Sequence, residues 1–154
     1  MNNHTLEQRL QNLEDRAAIR QVSDTFSSLA DKKDIAGQIQ LFTKYAELDV
    51  YFGETHYGKM KGREEIGKAF ASFSASFETF YHSNGQCLVE VAGERATANH
   101  YCQVMFISSA DGKKILNSNG VIYRDELVKS HGHWLIAKRT SHFTWSNNAE
   151  MAAA

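Results

Sequence analysis

Apolar positions in the first thirty residues recur at helical spacing. Leu6, Leu10, Leu13 and Ala17 form one row, and Ile19, Val22, Phe26 and Leu29 continue it after a small rotation, with charges between. Thr5 and Gln8 have the spacing of a capping box ahead of that row. The pattern predicts one long amphipathic helix from about Leu6 to Leu29, with Leu10, Leu13, Ile19, Val22 and Phe26 packed on the rest of the fold. It is expected to stop within Ala30-Asp31-Lys32-Lys33, because Asp34 can cap a second short helix with Ile35, Ile39 and Phe42 on one face.

Period two then takes over. Leu48, Val50 and Phe52 alternate with Glu47, Asp49 and Tyr51 as a first strand, and Gly53 and Gly58 bracket a return through His56 to Met60. Gly62 opens a third helix, with Ile66, Phe70, Phe73 and Phe77 at helical spacing. Four long strands are predicted after it, over roughly Phe80–Val91, Arg95–Ser108, Lys114–Lys129 and His133–Trp145, with turns at Gly93, Gly112 and Gly132. Strands of this length need bulges and curvature, for which Gly85 and Gly120 are candidate sites. Helices followed by a long antiparallel meander define an α+β chain: a curved sheet wrapped around the first helix as a cone, one domain over residues 1–145, with a tail from Ser146 to Ala154.

Composition narrows the classes. The 154 residues suffice for one core with an internal pocket. A net charge of −1 offers no basic excess for nucleic acid, and no apolar run is long enough to span a membrane. Met1 to Arg9 is polar, without the apolar core of a secretion signal, which points to a cytoplasmic protein. Cys87 and Cys102 are too few for a disulfide framework and fall on separate strands, and no histidine pair has ligand spacing, so no metal is expected.

The informative residues are polar side chains on apolar faces. His100 lies on the Ala96, Ala98, Cys102, Val104, Phe106 face of its strand. On the preceding strand a bulge at Gly85 carries the His82 face on through Cys87, Val89 and Val91. Neighbouring strands can therefore bring both imidazoles into one cavity, although either can equally be a satisfied core or rim histidine. A carboxylate beside a pocket histidine fixes its tautomer. Asp31 is the candidate, against a reading in which it belongs to a solvated cluster with Lys32, Lys33 and Asp34.

Taken in order, Leu13-Glu14-Asp15-Arg16-Ala17-Ala18-Ile19-Arg20, Ala30-Asp31-Lys32-Lys33-Asp34, Gly62-Arg63-Glu64-Glu65-Ile66, Tyr81-His82-Ser83-Asn84-Gly85 and Gly132-His133-Trp134-Leu135-Ile136-Ala137 carry a resemblance. The chain resembles the nuclear transport factor 2-like superfamily over nearly its whole length. Within it, the likeness is to the SnoaL-like branch that holds the scytalone dehydratases and hexachlorocyclohexane dehydrochlorinases. The resemblance implies a cone-shaped fold with an active-site pocket. It implies an Asp–His pair at Asp31 and His82, with His100 as a second histidine of the scytalone dehydratase type. Two tyrosines of that type are replaced here by Ala30 and Val50, with Tyr51 one place along, and its later-strand Ser and Asn fall near Val121 and Tyr123. Tyr51, Asn84 and Tyr123 are the candidate substrate-binding side chains.

Two functions from different classes fit. One is a cofactor-independent lyase or isomerase in which His82, oriented by Asp31, takes a proton from carbon in a small apolar cyclic or polyketide-like molecule while His100 assists. The other is a non-catalytic binding or assembly module, like the small subunit of ring-hydroxylating dioxygenases. Contact between Asp31 and His82 separates them, since a binding module has no need of the dyad. The face carrying Tyr101, Gln103, Met105 and Ile107 is partly apolar and is the expected seam of a homo-oligomer, a trimer or dimer by resemblance.

Overall fold

Thr5 starts α1 (Leu6–Asp31) through the expected capping box, its hydroxyl accepting from Gln8 N–H at 3.2 Å while its own N–H donates to Gln8 Oε1 at 2.9 Å. The computed structural model describes residues 4–152. At the other end of α1, Lys33 takes φ of 56° and turns the chain into α2 (Ile35–Gln40), which Asp34 caps by accepting from Gly37 N–H at 2.8 Å. Phe42 does not belong to this helix. It opens β1 (Phe42–Phe52), fully buried against the rings of Phe26 and Phe70, so its burial reports a strand start and not a helix face.

β2 (Thr55–Lys61) returns from β1 as a hairpin, and α3 (Gly62–Ala75) follows. Arg63 ties α3 to β1, donating to Phe42 O from Nε at 2.9 Å and Nη2 at 2.7 Å. The remaining chain is β3 (Thr79–Ala92), β4 (Arg95–Ala110), β5 (Lys113–Ser130) and β6 (His133–Glu150). One six-stranded, unclosed sheet results, in the order β2-β1-β6-β5-β4-β3. All pairings are antiparallel except β1 with β6, which is parallel because β2, α3 and the meander all intervene before β6 comes back alongside β1.

Extra residues bend the sheet. Gly85 and Gln86 both stand opposite Tyr101, so the bulge expected at Gly85 is present. The irregularity beside Gly120 comes from Thr144, the extra residue of β6, and a second one is Ala137. Gly120 itself leaves room for the Trp145 indole, which a Cβ there would strike. Ser146 does not begin a tail: β6 continues to Glu150, pairing Asn147–Glu150 with Ile115–Ser118, because β5 offers an open edge at that point.

The concave side is covered by α1 and α3, and Ile19, Phe26, Phe42, Leu48, Ile66 and Ile136 form the centre of the core. Leu10 and Leu13 do not join it: they are 55% and 65% exposed, whereas Ile19 and Phe26 are buried and Val22 is partly so. The turn that docks instead is polar. Buried Asp15 accepts from Trp134 Nε1–H at 2.9 Å and pairs with Lys129 at 2.8 Å. Burial pushes this carboxyl up, but Lys129 and the Trp134 N–H outweigh it and hold Asp15 below its ordinary value. Asp15→Ala strands the buried indole N–H and is expected to lower unfolding free energy by about 1.5–3 kcal/mol in denaturant titrations. On the convex face Tyr101 and Gln103 are exposed and Met105 and Ile107 half-buried. No helix among the described residues is long and apolar enough to cross a membrane.

Candidate active site

The stop of α1 sets the position of the first site residue. Asp31 is the last residue of the helix, and its carboxylate meets the start of β3. Asp31 Oδ1 lies 2.6 Å from His82 Nδ1, and His82 N–H donates to Oδ1 at 3.1 Å and Oδ2 at 3.3 Å. A carboxylate at this distance accepts from Nδ1–H, so in the neutral imidazole it fixes the tautomer in which Nε2 carries the lone pair. The His82 side chain is 6% exposed and that of Asp31 30%. Asp31 faces a polar groove outside the sheet with Asp24, Ser27 and Asn84, and His82 also lines an internal cavity. The imidazole thus bridges the groove and the cavity.

The cavity holds about 390 Å³, within the usual range for small-molecule sites. Its walls are largely aromatic and aliphatic, including Phe26, Leu48, Phe70, Phe80, Phe106 and Phe143, and no Asp, Glu, Lys or Arg lines it. Phe26 sits edge-on to both the His82 and Tyr123 rings, 6.5 and 6.0 Å away between centroids. His82, Tyr123, Ser141 and Gln38 interrupt the apolar lining, and Tyr57, Ser72, Ser74 and Ser76 add further hydroxyls to it. Tyr123 and Ser141 face each other across β5 and β6, both buried, and Gln38 comes from α2 at 4% exposure. Among the described residues, the Tyr123 and Ser141 hydroxyls and the Gln38 amide bond no other protein group, and none of them is sealed from the cavity. Burial pushes the Tyr123 phenol up, so it stays a neutral donor. Burial also raises Cys102 to about 12 and moves Cys87 upward, which removes both thiols as nucleophiles at neutral pH.

Three of the sequence-predicted site residues lie elsewhere. His100 points inward as expected but does not line the cavity, which β4 reaches at Val104 and Phe106. His100 is 1% exposed, stacked on Tyr123 at 4.9 Å, and its Nε2 lies 3.4 Å from Asp125 Oδ2 and 3.3 Å from Arg139 Nη2. Burial, with Arg139 adding to it, holds its pKa below the ordinary value. It is a neutral core histidine beneath the cavity floor. Tyr51 alternates with Val50 and Phe52, which line the cavity, so it falls on the other face, 4.8 Å from the His56 ring. Asn84 lies in the outer groove, accepting from Ser27 Oγ at 3.0 Å and donating to Asp24 Oδ1 at 2.9 Å, and so fastens α1 to β3 beside the dyad.

Other residues of the site escaped the sequence reading. Asp125 and Arg139 form a two-point buried pair, Nε to Oδ1 and Nη2 to Oδ2, both 2.7 Å. The Arg139 guanidinium lies 4.2 Å from the Phe26 ring and 4.6 Å from that of Tyr123, so the pair props the floor of the cavity. Asp125 carried a signal, since it shares the inward alternation of Val121, Tyr123 and Leu127. Arg139 did not: strict alternation from Trp134 and Ile136 turns it outward, and only the extra residue Ala137 brings it in. Gln38 stands one turn after Ile35 on the inner side of α2 and is the buried residue of that helix, with Ile35 and Ile39 half-buried beside it.

The comparisons agree with this architecture. No curated protein sequence matches the chain. Among solved structures, a type 3 hexachlorocyclohexane dehydrochlorinase from Novosphingobium barchaimii superposes with a TM-score of 0.78 at 19% identity, covering 92% of this chain and 94% of its own. A scytalone dehydratase-like protein from Novosphingobium aromaticivorans gives 0.75 at 19% identity and 93% coverage of both chains. An NTF2-like protein with a cystatin-like fold from Novosphingobium aromaticivorans gives 0.73 at 23% identity and 92% coverage of both. At these identities the likeness establishes the fold. The SnoaL-like domain signature matches residues 11–140, and the chain belongs to that family, within the nuclear transport factor 2-like superfamily.

Proposed function

We propose that the protein is a cofactor-independent lyase or isomerase that acts on a small uncharged molecule by general base catalysis at His82. One observation carries this reading: the 2.6 Å bond from His82 to Asp31 leaves the lone pair on Nε2 of a neutral imidazole that lines an apolar cavity. Nε2 takes a proton from carbon, and Asp31 stabilises the imidazolium that forms. The electron pair of the broken C–H bond becomes a C=C bond as a neighbouring halide or hydroxyl leaves, or moves onto an adjacent carbonyl as an enolate. The abstracted proton leaves with departing hydroxide as water, returns to carbon in an isomerisation, or passes to solvent after halide loss. Tyr123, Ser141 and the Gln38 amide are buried donors available to the oxygen or halogen. No charged side chain lines the cavity, so an anionic or cationic ligand would be buried without a partner, which costs several kcal/mol. A neutral ring compound fits. The supporting experiment is product analysis on a panel of enolisable ketones, hydroxy-ketones and halogenated rings. Ligand binding without turnover of any compound would favour the binding-module reading.

Gln38 is expected to select for oxygen on the ligand. Its buried amide gains a partner only when something in the cavity supplies one. Gln38→Leu should keep the fold and weaken 1-tetralone binding by about tenfold while leaving tetralin unchanged, measured by calorimetry. Equal losses for both ligands would show that Gln38 only shapes the wall.

A further inference from the structure

α1 has a second apolar face that its own domain leaves bare. Asp15, Ile19, Ser23 and Phe26 turn toward the sheet, while Leu6, Leu10 and Leu13 are 77%, 55% and 65% exposed, and Ala17 extends their row. Steps of four, three and four residues are those of the a and d positions of a coiled coil. On that frame Arg9 and Arg16 flank one edge of the row and Glu7 and Glu14 the other, all four exposed. The charges decide what can cover it. Against a parallel copy of the same helix, Arg9 meets Glu14 of the second copy, and two-fold symmetry repeats the pair. In an antiparallel pairing Arg9 meets Arg16 and Glu7 meets Glu14, so both edges repel.

We propose that α1 pairs in parallel with α1 of a second copy across Leu6, Leu10, Leu13 and Ala17. The seam ends where Arg20 bonds Gly85 O of its own β3 at 3.3 Å, and past that point each helix enters its own domain. The domains then lie on opposite sides of the helix pair, because the seam and the docked face of α1 point in opposite directions. This surface is distinct from the convex sheet face and independent of the chemistry at His82.

Sedimentation of the full chain tests it. Leu10→Glu with Leu13→Glu should halve the mass at the same concentration while the circular dichroism spectrum stays that of the folded parent, since neither side chain belongs to the core. Arg9→Glu and Glu14→Arg should each raise the dissociation constant by roughly fivefold, and the two together should restore it. In a Cys87→Ser background, Leu6→Cys should form a disulfide-linked dimer on oxidation. An antiparallel pair would hold the two thiols roughly 16 Å apart. An unchanged mass in the double glutamate variant overturns the interface, and a failure of Leu6→Cys to cross-link overturns its parallel sense.

Discussion

Asp125→Ala is expected to lower unfolding free energy by about 3–5 kcal/mol, the largest stability effect of any single change considered for this chain. Arg139 is fully buried, and Asp125 neutralises it with two 2.7 Å bonds. Without that carboxylate the guanidinium stays enclosed between Phe26 and Tyr123 with no countercharge. Arg139→Met should be similarly damaging, because it abandons the Asp125 carboxylate. The double variant Asp125→Leu with Arg139→Met should recover most of the loss, since no charge is then buried alone. Denaturant midpoints for the four proteins test this, and additive losses would contradict it. His100 adds a pH dependence. Its folded pKa lies below the ordinary 6.5, so the folded state resists protonation while the unfolded chain accepts it. The contribution is complete above that value and is lost as pH falls through the lowered one. Melting temperatures between about pH 7 and pH 5 should therefore fall less steeply in His100→Gln than in the parent.

At the dyad the expected losses are of rate and not of stability. His82→Ala removes the base, and turnover of any substrate should drop by roughly 10²–10⁴, the usual worth of a positioned acid or base. Asp31→Asn keeps the shape but cannot stabilise the imidazolium, and its amide can turn an N–H toward Nδ1 and favour the other tautomer. Its effect should fall mainly on kcat, because Asp31 faces the outer groove and not the cavity. The two residues form a unit, so Asp31→Asn with His82→Ala should be little slower than His82→Ala alone. Multiplicative losses would mean that Asp31 acts independently of His82.

Much of the fold could be read from periodicity because long strands and long helices write their period clearly. The capping box, the stop near Asp31, the four long strands and the bulge at Gly85 all follow from local spacing. What failed was depth and the second side of an element. Leu10 and Leu13 look like core in a one-dimensional pattern, yet the sheet does not reach them, and the turn beside them docks through Asp15 instead. His100 was placed on the correct face, but alternation gives the face and not the height along a tapering sheet. Tyr51 failed because one step along a strand reverses the side chain, and Val50 already occupied the inner side. Arg139 stayed hidden behind the extra residue Ala137, a feature that exists only once β5 and β6 are paired. The contact between Asp31 and His82 spans 51 positions and came from the resemblance, not from any local signal.

The central claim is that His82 Nε2 removes a proton from carbon inside the cavity. Its most direct test is deuterium uptake from heavy water into the carbon beside the carbonyl of the enolisable ketones in the panel, followed by NMR for the parent protein and for His82→Ala. The expected result is label entering at least one ketone with the parent and at the background rate with His82→Ala, at equal melting temperatures. Equal labelling by both proteins, or none by either while the ketones are bound, would contradict it.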